Sequence, residues 1–314
     1  MVGNANTSKR ALNLKAWLSL LRFPNLFTVP GDVVFAYLLV NGKTDSPLFL
    51  CVILAVLSFY MFGLITNDIA DLETDRRERP RRPLPSGLIG IQSAKFAAFI
   101  FGFAGLLLSA LCGKEAFLAG ATLIVLICGY NYRVKHVFLL GPATLALCRM
   151  TGLVLGLFAA HSRMLNSDIL FPAGIFLVAY IFWISVSAQV EVEEGRRKTV
   201  LAGGWLITAL SVLWIATGFY FSLEMINIMG EITPSICFAI IISILLAGSA
   251  LKNILLLHLN YKTSKVPPFI GDSIRNLILF QSSVCAFAGF MDEAFYLLLL
   301  FIPAWIFSKM FYQS

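Results

Sequence analysis

The chain has 314 residues, 59% of them hydrophobic and 13% charged. A soluble domain is roughly 45–50% apolar and about 25% charged, so this composition excludes one. The formal net charge of +7 needs no nucleic-acid partner, because membrane proteins collect basic residues in their cytoplasmic loops.

In chain order, Leu12 to Leu21 reads as a short amphipathic segment with Lys9, Arg10, Lys15 and Arg22 in and around it. It lacks the shape of a signal peptide and is expected to lie on the inner membrane surface. Apolar runs of helical-span length follow: 24–40, broken in the middle by Pro30-Gly31-Asp32, then 47–65, 93–111, 117–130, 137–160, 169–188, 200–221, 234–257 and 294–311. None shows the alternation of a membrane barrel strand. Residues 274–290 are apolar but seeded with Arg275, Asn276 and Gln281. The expectation is an all-α polytopic membrane protein with nine transmembrane helices around a central cavity, ten if 274–290 crosses fully, in one domain over 1–314. Asp32, beside the helix break, is expected either to line the cavity or to bond a neighbouring helix. Lys252 is expected to snorkel to the inner interface.

With the N-terminus inside, 18 of the 24 Lys and Arg residues fall in the N-terminal segment and the loops after spans two, four, six and eight, with their flanks. The opposite loops hold Lys43, Lys114 and Arg163. That asymmetry predicts a cytoplasmic N-terminus. Two acidic segments, 67–75 and 191–194, then face the cytoplasm four spans apart. The six cysteines lie singly in or beside apolar runs, and the three histidines are scattered, so neither forms a zinc set.

The segment at the end of span two carries the chemistry. Asn67, Asp71 and Asp75 are spaced i, i+4, i+8, and Asp68 joins Asp71 and Asp75 at i, i+3, i+7. On a helix these form one stripe. Bare carboxylates so arranged repel one another, and a divalent cation among them relieves this. All-oxygen donors suit a hard ion, Mg²⁺ above all, which shares its coordination with substrate phosphates. Arg76, Arg77, Arg79, Arg81 and Arg82 follow and would hold the same anion. A solvated charged loop is the plain alternative, but such loops do not place an Asn and three Asp in helical register at the end of an apolar span.

The pattern Asn67-Asp68-x-x-Asp71-x-x-x-Asp75 with the run Arg79 to Pro83 resembles the first aspartate-rich motif of the UbiA superfamily of intramembrane prenyltransferases. Arg22 and Asn25 resemble the family's opening Arg-x-x-Asn. Tyr130-Asn131-x-x-x-Lys135 is similar to its Tyr-Ser-x-x-x-Lys segment, and Arg149 stands where the family often has an Arg after a Gly-rich turn, here Gly141-Pro142. Glu191-Val192 with Gly141-Pro142 and Cys148-Arg149 resembles an EboC-like branch.

The resemblance implies transfer of a prenyl group from a prenyl diphosphate to an aromatic or other lipophilic acceptor within the bilayer. Under it, Asn67, Asp68, Asp71 and Asp75 hold Mg²⁺. Asp71, Asp75, Lys135 and Tyr130 form the catalytic set, and Arg22, Asn25, Arg79, Arg82 and Arg149 contact substrate. The family's second aspartate-rich motif is altered: Gln189, Val192 and Arg196 stand at its acidic positions. Glu191 and Glu194 would supply metal oxygens instead, or Arg196 and Arg197 would contact the diphosphate directly. A non-catalytic prenyl-lipid binder or carrier is the alternative function. A secondary transporter is disfavoured because the charges gather at one face. With no targeting extension, a bacterial cytoplasmic membrane is the expected location.

Overall fold

The computed structural model describes residues 13–161, 167–189, 197–229 and 231–311, and among them there is no strand. In hydrocarbon, backbone N–H and C=O groups have no water to bond, so apolar runs of this length close their hydrogen bonds within helices. Among the described residues, nine helical stretches are long and apolar enough to cross a membrane, from Phe23–Asn41 to Met291–Phe311, in register with the nine expected spans.

Residues 13–20 form α1. Its Ala16 and Leu20 pack on Ile65, Leu84, Ile89, Ala94 and Ala98, which seats it against the loop after the second span. The first span is α2 (Phe23–Leu26) and α3 (Pro30–Asn41). The break lies at residues 27–29, and Pro30 opens α3 where a missing N–H costs nothing. Then come α4 (Pro47–Ala70), α5 (Leu72–Glu78), α6 (Ile91–Leu111), α7 (Lys114–Gly129) and α8 (Leu140–Ala159). The second half is α9 (Ser167–Gln189), α10 (Arg197–Met229), α11 (Pro234–Leu259), α12 (Val266–Phe287), α13 (Met291–Leu299) and α14 (Phe301–Phe311). Ser46 and Thr233 cap α4 and α11, each followed by a proline at the first helical position.

Consecutive helices pack on each other from α6 through α13, and α4 packs on α6. The ring closes where α14 meets α2 through Phe307 against Phe23 and Phe27, at centroid distances of 4.9 and 6.0 Å. Two apolar cores share α3. One joins it to α4, α7 and α8 around Tyr37, Phe59 and Leu155. The other joins it to the second half around Phe176, Tyr180, Trp214 and Phe280.

The stretch that the sequence left between nine and ten spans is α12, and it begins at Val266, eight residues before the expected start. Its 22 residues span about 33 Å, enough for a bilayer core. Its composition falls short of a lipid-facing span because its polar residues point into the protein. Ser282 donates to the Ala294 carbonyl at 2.7 Å, and Ser283 accepts from Trp214 Nε1 at 2.9 Å. Residues Asn276 to Phe287 are all buried.

Helix α4, which carries Asn67 and Asp68 and ends at Asp71, with Asp75 on α5, is positioned by a wedge. The Phe59 ring lies against Gly105 of α6 and Gly120 of α7. A Cβ on Gly105 would stand 2.6 Å from the ring, and one on Gly120 would stand 2.9 Å from it. Gly105→Leu is therefore expected to lower the thermal unfolding temperature of the protein in detergent, by overpacking worth about 1–3 kcal/mol. Phe59→Ala in the same chain should recover part of that loss. A Gly105→Leu variant as stable as the parent would show that Phe59 does not fix this packing.

Candidate active site

A cavity of about 530 Å³ opens between α3, α4, α7, α8, α9 and α12. Its mouth carries Arg22, Asn67, Asp71, Arg79, Tyr130, Asn131, Lys135 and His136, its walls are largely apolar, and Asp32 and Arg149 lie deeper within it.

The mouth is built by the end of α4 and the turn after α7. Helix α4 ends at Ala70, and Asp71 is its C-cap, with α5 starting at Leu72. Residues Tyr130–Val134 form a single π-helical turn, a widening that often marks functional positions. Asn131 fastens this turn to α4, donating to the Gly63 carbonyl at 3.1 Å and to Thr66 Oγ1 at 2.8 Å. Two further contacts hold Lys135. Gly141 packs on its backbone, where a Cβ would stand 2.7 Å from the Lys135 carbonyl oxygen. Gln189 Nε2 donates to the Lys135 and Val137 carbonyls, both at 3.1 Å.

So held, the Lys135 ammonium donates to Asp71 Oδ1 and, at 3.3 Å, to Asn67 Oδ1. The other two aspartates turn elsewhere. Asp75 accepts from Arg82 at 2.7 Å, and Asp68 lies 3.9 Å from Arg22. Asp68 and Asp75 are buried, and neither they nor Arg82 line the cavity. The four-residue metal stripe expected from spacing is thus divided among three cations. Among the described residues, no three Asp, Glu, His or Cys side chains are grouped to hold a metal. The donor chemistry at Asn67 and Asp71 nonetheless suits one: two hard oxygens share a single cation, here the Lys135 ammonium.

The remaining expected residues are placed as follows. Arg22 has a left-handed backbone, φ 43° and ψ 53°, at the corner between α1 and α2, and it lines the mouth. Arg79, the C-cap of α5, and Tyr130, the first residue of the π turn, line it too. Asn25 is buried in α2 and does not line the cavity. Arg197 stands in the first turn of α10 over the Tyr261 ring, 5.4 Å from its centroid, and is not brought to the cavity. Glu191, Glu194 and Arg196 lie outside the described residues. Arg149 lines the deep part and pairs with Asp32 at 2.6 Å, so Asp32 both lines the cavity and bonds a neighbouring helix. Gln189, expected only as a departure from the second acidic motif, reaches Lys135 across 54 residues of chain, while Asn131 and His136 come to the mouth with the turn that carries Lys135.

The sequence profile of the UbiA prenyltransferase family matches residues 28–269. The chain is 28% identical over 191 residues to the digeranylgeranylglyceryl phosphate synthase of Sulfolobus acidocaldarius, covering 60% of this chain and 67% of that protein. To the enzyme of that name from Methanocaldococcus jannaschii it is 38% identical over 97 residues, covering 31% of this chain and 34% of the relative. The matched segments thus span between one third and two thirds of these relatives. The fold is similar to that of a UbiA homologue from Archaeoglobus fulgidus bound to GPP and Mg²⁺. The TM-score is 0.55 at 18% identity, covering 86% of this chain and 99% of that one. These organisms are archaeal, and they lend no support to the bacterial location expected above. The profile match takes in every residue named at the cavity mouth except Arg22, and the chain belongs to the UbiA prenyltransferase family as a multi-pass membrane enzyme of that type.

Proposed function

We propose that the protein transfers a prenyl group from a prenyl diphosphate to a lipophilic acceptor inside the membrane, with Mg²⁺ at the cavity mouth. The observation that carries this reading is the shared cation position. Asn67 and Asp71 direct two oxygens to one point at the polar mouth of a cavity whose walls are largely apolar. The presence of GPP and Mg²⁺ in the Archaeoglobus homologue supports it further. Held by Asn67 and Asp71, with Asp68 and Asp75 beside them, Mg²⁺ would neutralise charge on the leaving diphosphate.

The chain's own residues do the rest. Lys135, Arg79 and Arg22 face the mouth, where they bind the diphosphate and stabilise the negative charge it gathers as the allylic C1–O bond breaks. The bonding electron pair leaves with the diphosphate. The acceptor nucleophile bonds C1 and gives its proton to the released diphosphate. The apolar walls, including Val56, Phe59 and Leu123, keep water from the allylic cation. Asp75–Arg82 holds the loop after α5 in place, and Asp68 draws the α1–α2 corner, through Arg22, toward α4. The acceptor is an aromatic or other lipophilic molecule; the names of the Sulfolobus and Methanocaldococcus relatives add a glyceryl phosphate lipid to the compounds to assay.

Two results test this. Asp71→Asn and Lys135→Ala should each cut diphosphate release from geranyl diphosphate plus acceptor by about 10²–10³-fold, while the protein still inserts and purifies. Full activity in Asp71→Asn would sink the reading, and saturable geranyl diphosphate binding with no release on any acceptor would point to a carrier. Second, EDTA should stop release and added Mg²⁺ restore it. Asn67→Ala should raise the half-saturating Mg²⁺ concentration on the order of tenfold or more. Release that is indifferent to EDTA would remove the metal from the proposal.

A further inference from the structure

The deep charges of the cavity are not used by the chemistry at its mouth. Asp32 lies in the first turn of α3, Arg149 in the middle of α8 and Gln281 in α12. Arg149 Nη2 reaches Asp32 Oδ2 at 2.6 Å and the Thr28 carbonyl at 3.0 Å. Gln281 Nε2 donates to Asp32 Oδ1 at 2.7 Å and to the same Thr28 carbonyl at 2.8 Å. A Cβ on Gly31 would collide with the Gln281 side chain, so the glycine beside Asp32 admits this contact. Arg149 lies nine residues past the start of α8, about 13 Å deeper than the mouth.

A buried ion pair is weak evidence for stability, since an apolar pair of similar volume often serves as well. Ionisable groups within a membrane span point to function instead. Here the pair is not sealed between helices. Both residues line the cavity, and the Arg149 side chain keeps 16% of its surface there. Its Nε is buried without an acceptor, so the protein does not fully satisfy this guanidinium.

We propose that Asp32 and Arg149, oriented by Gln281, form a hydrogen-bonding subsite for a neutral oxygen-bearing group of the acceptor, a hydroxyl or a carbonyl. This rests on the transferase reading for the word acceptor. A prenyl tail is hydrocarbon and has nothing to offer an ion pair. The donor's polar end belongs with the cations at the mouth, so the polar group met at this depth comes from the other substrate. The pair carries no net charge and sets a donor beside an acceptor, which matches a hydroxyl or carbonyl. A phosphate placed there would face the Asp32 carboxylate, whereas the mouth offers Arg22, Arg79 and Lys135.

The test is equilibrium binding of radiolabelled menadione, a neutral naphthoquinone, to the protein in lipid nanodiscs, with empty nanodiscs subtracted. Geranyl diphosphate is measured in parallel. The double variant Asp32→Asn/Arg149→Gln removes both charges together and leaves neither buried alone. It should weaken menadione binding at least tenfold, while the affinity for geranyl diphosphate stays within twofold. Arg149→Lys, which keeps the ion pair, should show the same selective loss if the double variant does not fold. The inference is overturned if menadione does not saturate the parent protein, if it binds parent and variant alike, or if both ligands weaken together as for a structural pair. None of these readouts needs turnover. Absence of diphosphate release would count against the transferase reading, and a selective menadione loss would still support the subsite.

Discussion

One ammonium group governs the mouth of the cavity. Asp71 is at once the C-cap of α4 and the N-cap of α5, so the dipoles of the two helices oppose each other at its carboxylate. Its charge is met by a side-chain cation instead. Lys135 supplies that cation and shares it with Asn67. Its reach depends on contacts far apart in sequence: Asn131 bonded to α4, Gly141 against its backbone and Gln189 on its carbonyl. Four helices therefore converge on one charge, and the same point suits a hard divalent ion bound together with an anionic substrate.

The cavity sets this mouth against a second polar centre with different chemistry. At the mouth, cations outnumber what the aspartates neutralise locally, since Arg79 stands beside the Lys135–Asp71 pair. That surplus suits a diphosphate. Deeper in, Asp32 and Arg149 cancel each other. Between them the walls are mostly hydrocarbon, with little to hold water. All four residues of the motif, one asparagine and three aspartates, have taken protein cations, while of the arginines that follow, Arg76 and Arg82 pair with Glu73 and Asp75 and Arg79 faces the cavity.

The acidic motif and the nine apolar runs were legible because each is a property of one segment, and Lys135 was legible through its segment's resemblance to the family. Spacing of three and four along a helix fixes which residues share a face. It does not say which cation each face meets. Asp68 and Asp75 share the stripe with Asp71, yet they turn to Arg22 and Arg82. Arg197 is near the family's second motif in sequence, yet its guanidinium rests on Tyr261. Helix α12 was ambiguous for the same reason. Ser282, Ser283 and Gln281 lower its apolarity, and only their partners on α13, α10 and α3 show that they face inward.

By itself, the sequence determined that the chain is a helical membrane protein and that its oxygen-rich motif lies at the end of the second span. Hydrocarbon forces apolar runs into helices, and helical periodicity gathers side chains within one element. Tertiary structure alone decided that Lys135 unites Asn67 and Asp71 and that Asp32, Arg149 and Gln281 meet inside the cavity. Gln281 and Asp32 are 249 residues apart. Contacts at such separation arise from how helices pack, through the glycines at positions 31, 105, 120 and 141 that let them approach, and no local pattern in the chain encodes which helix will lie beside which.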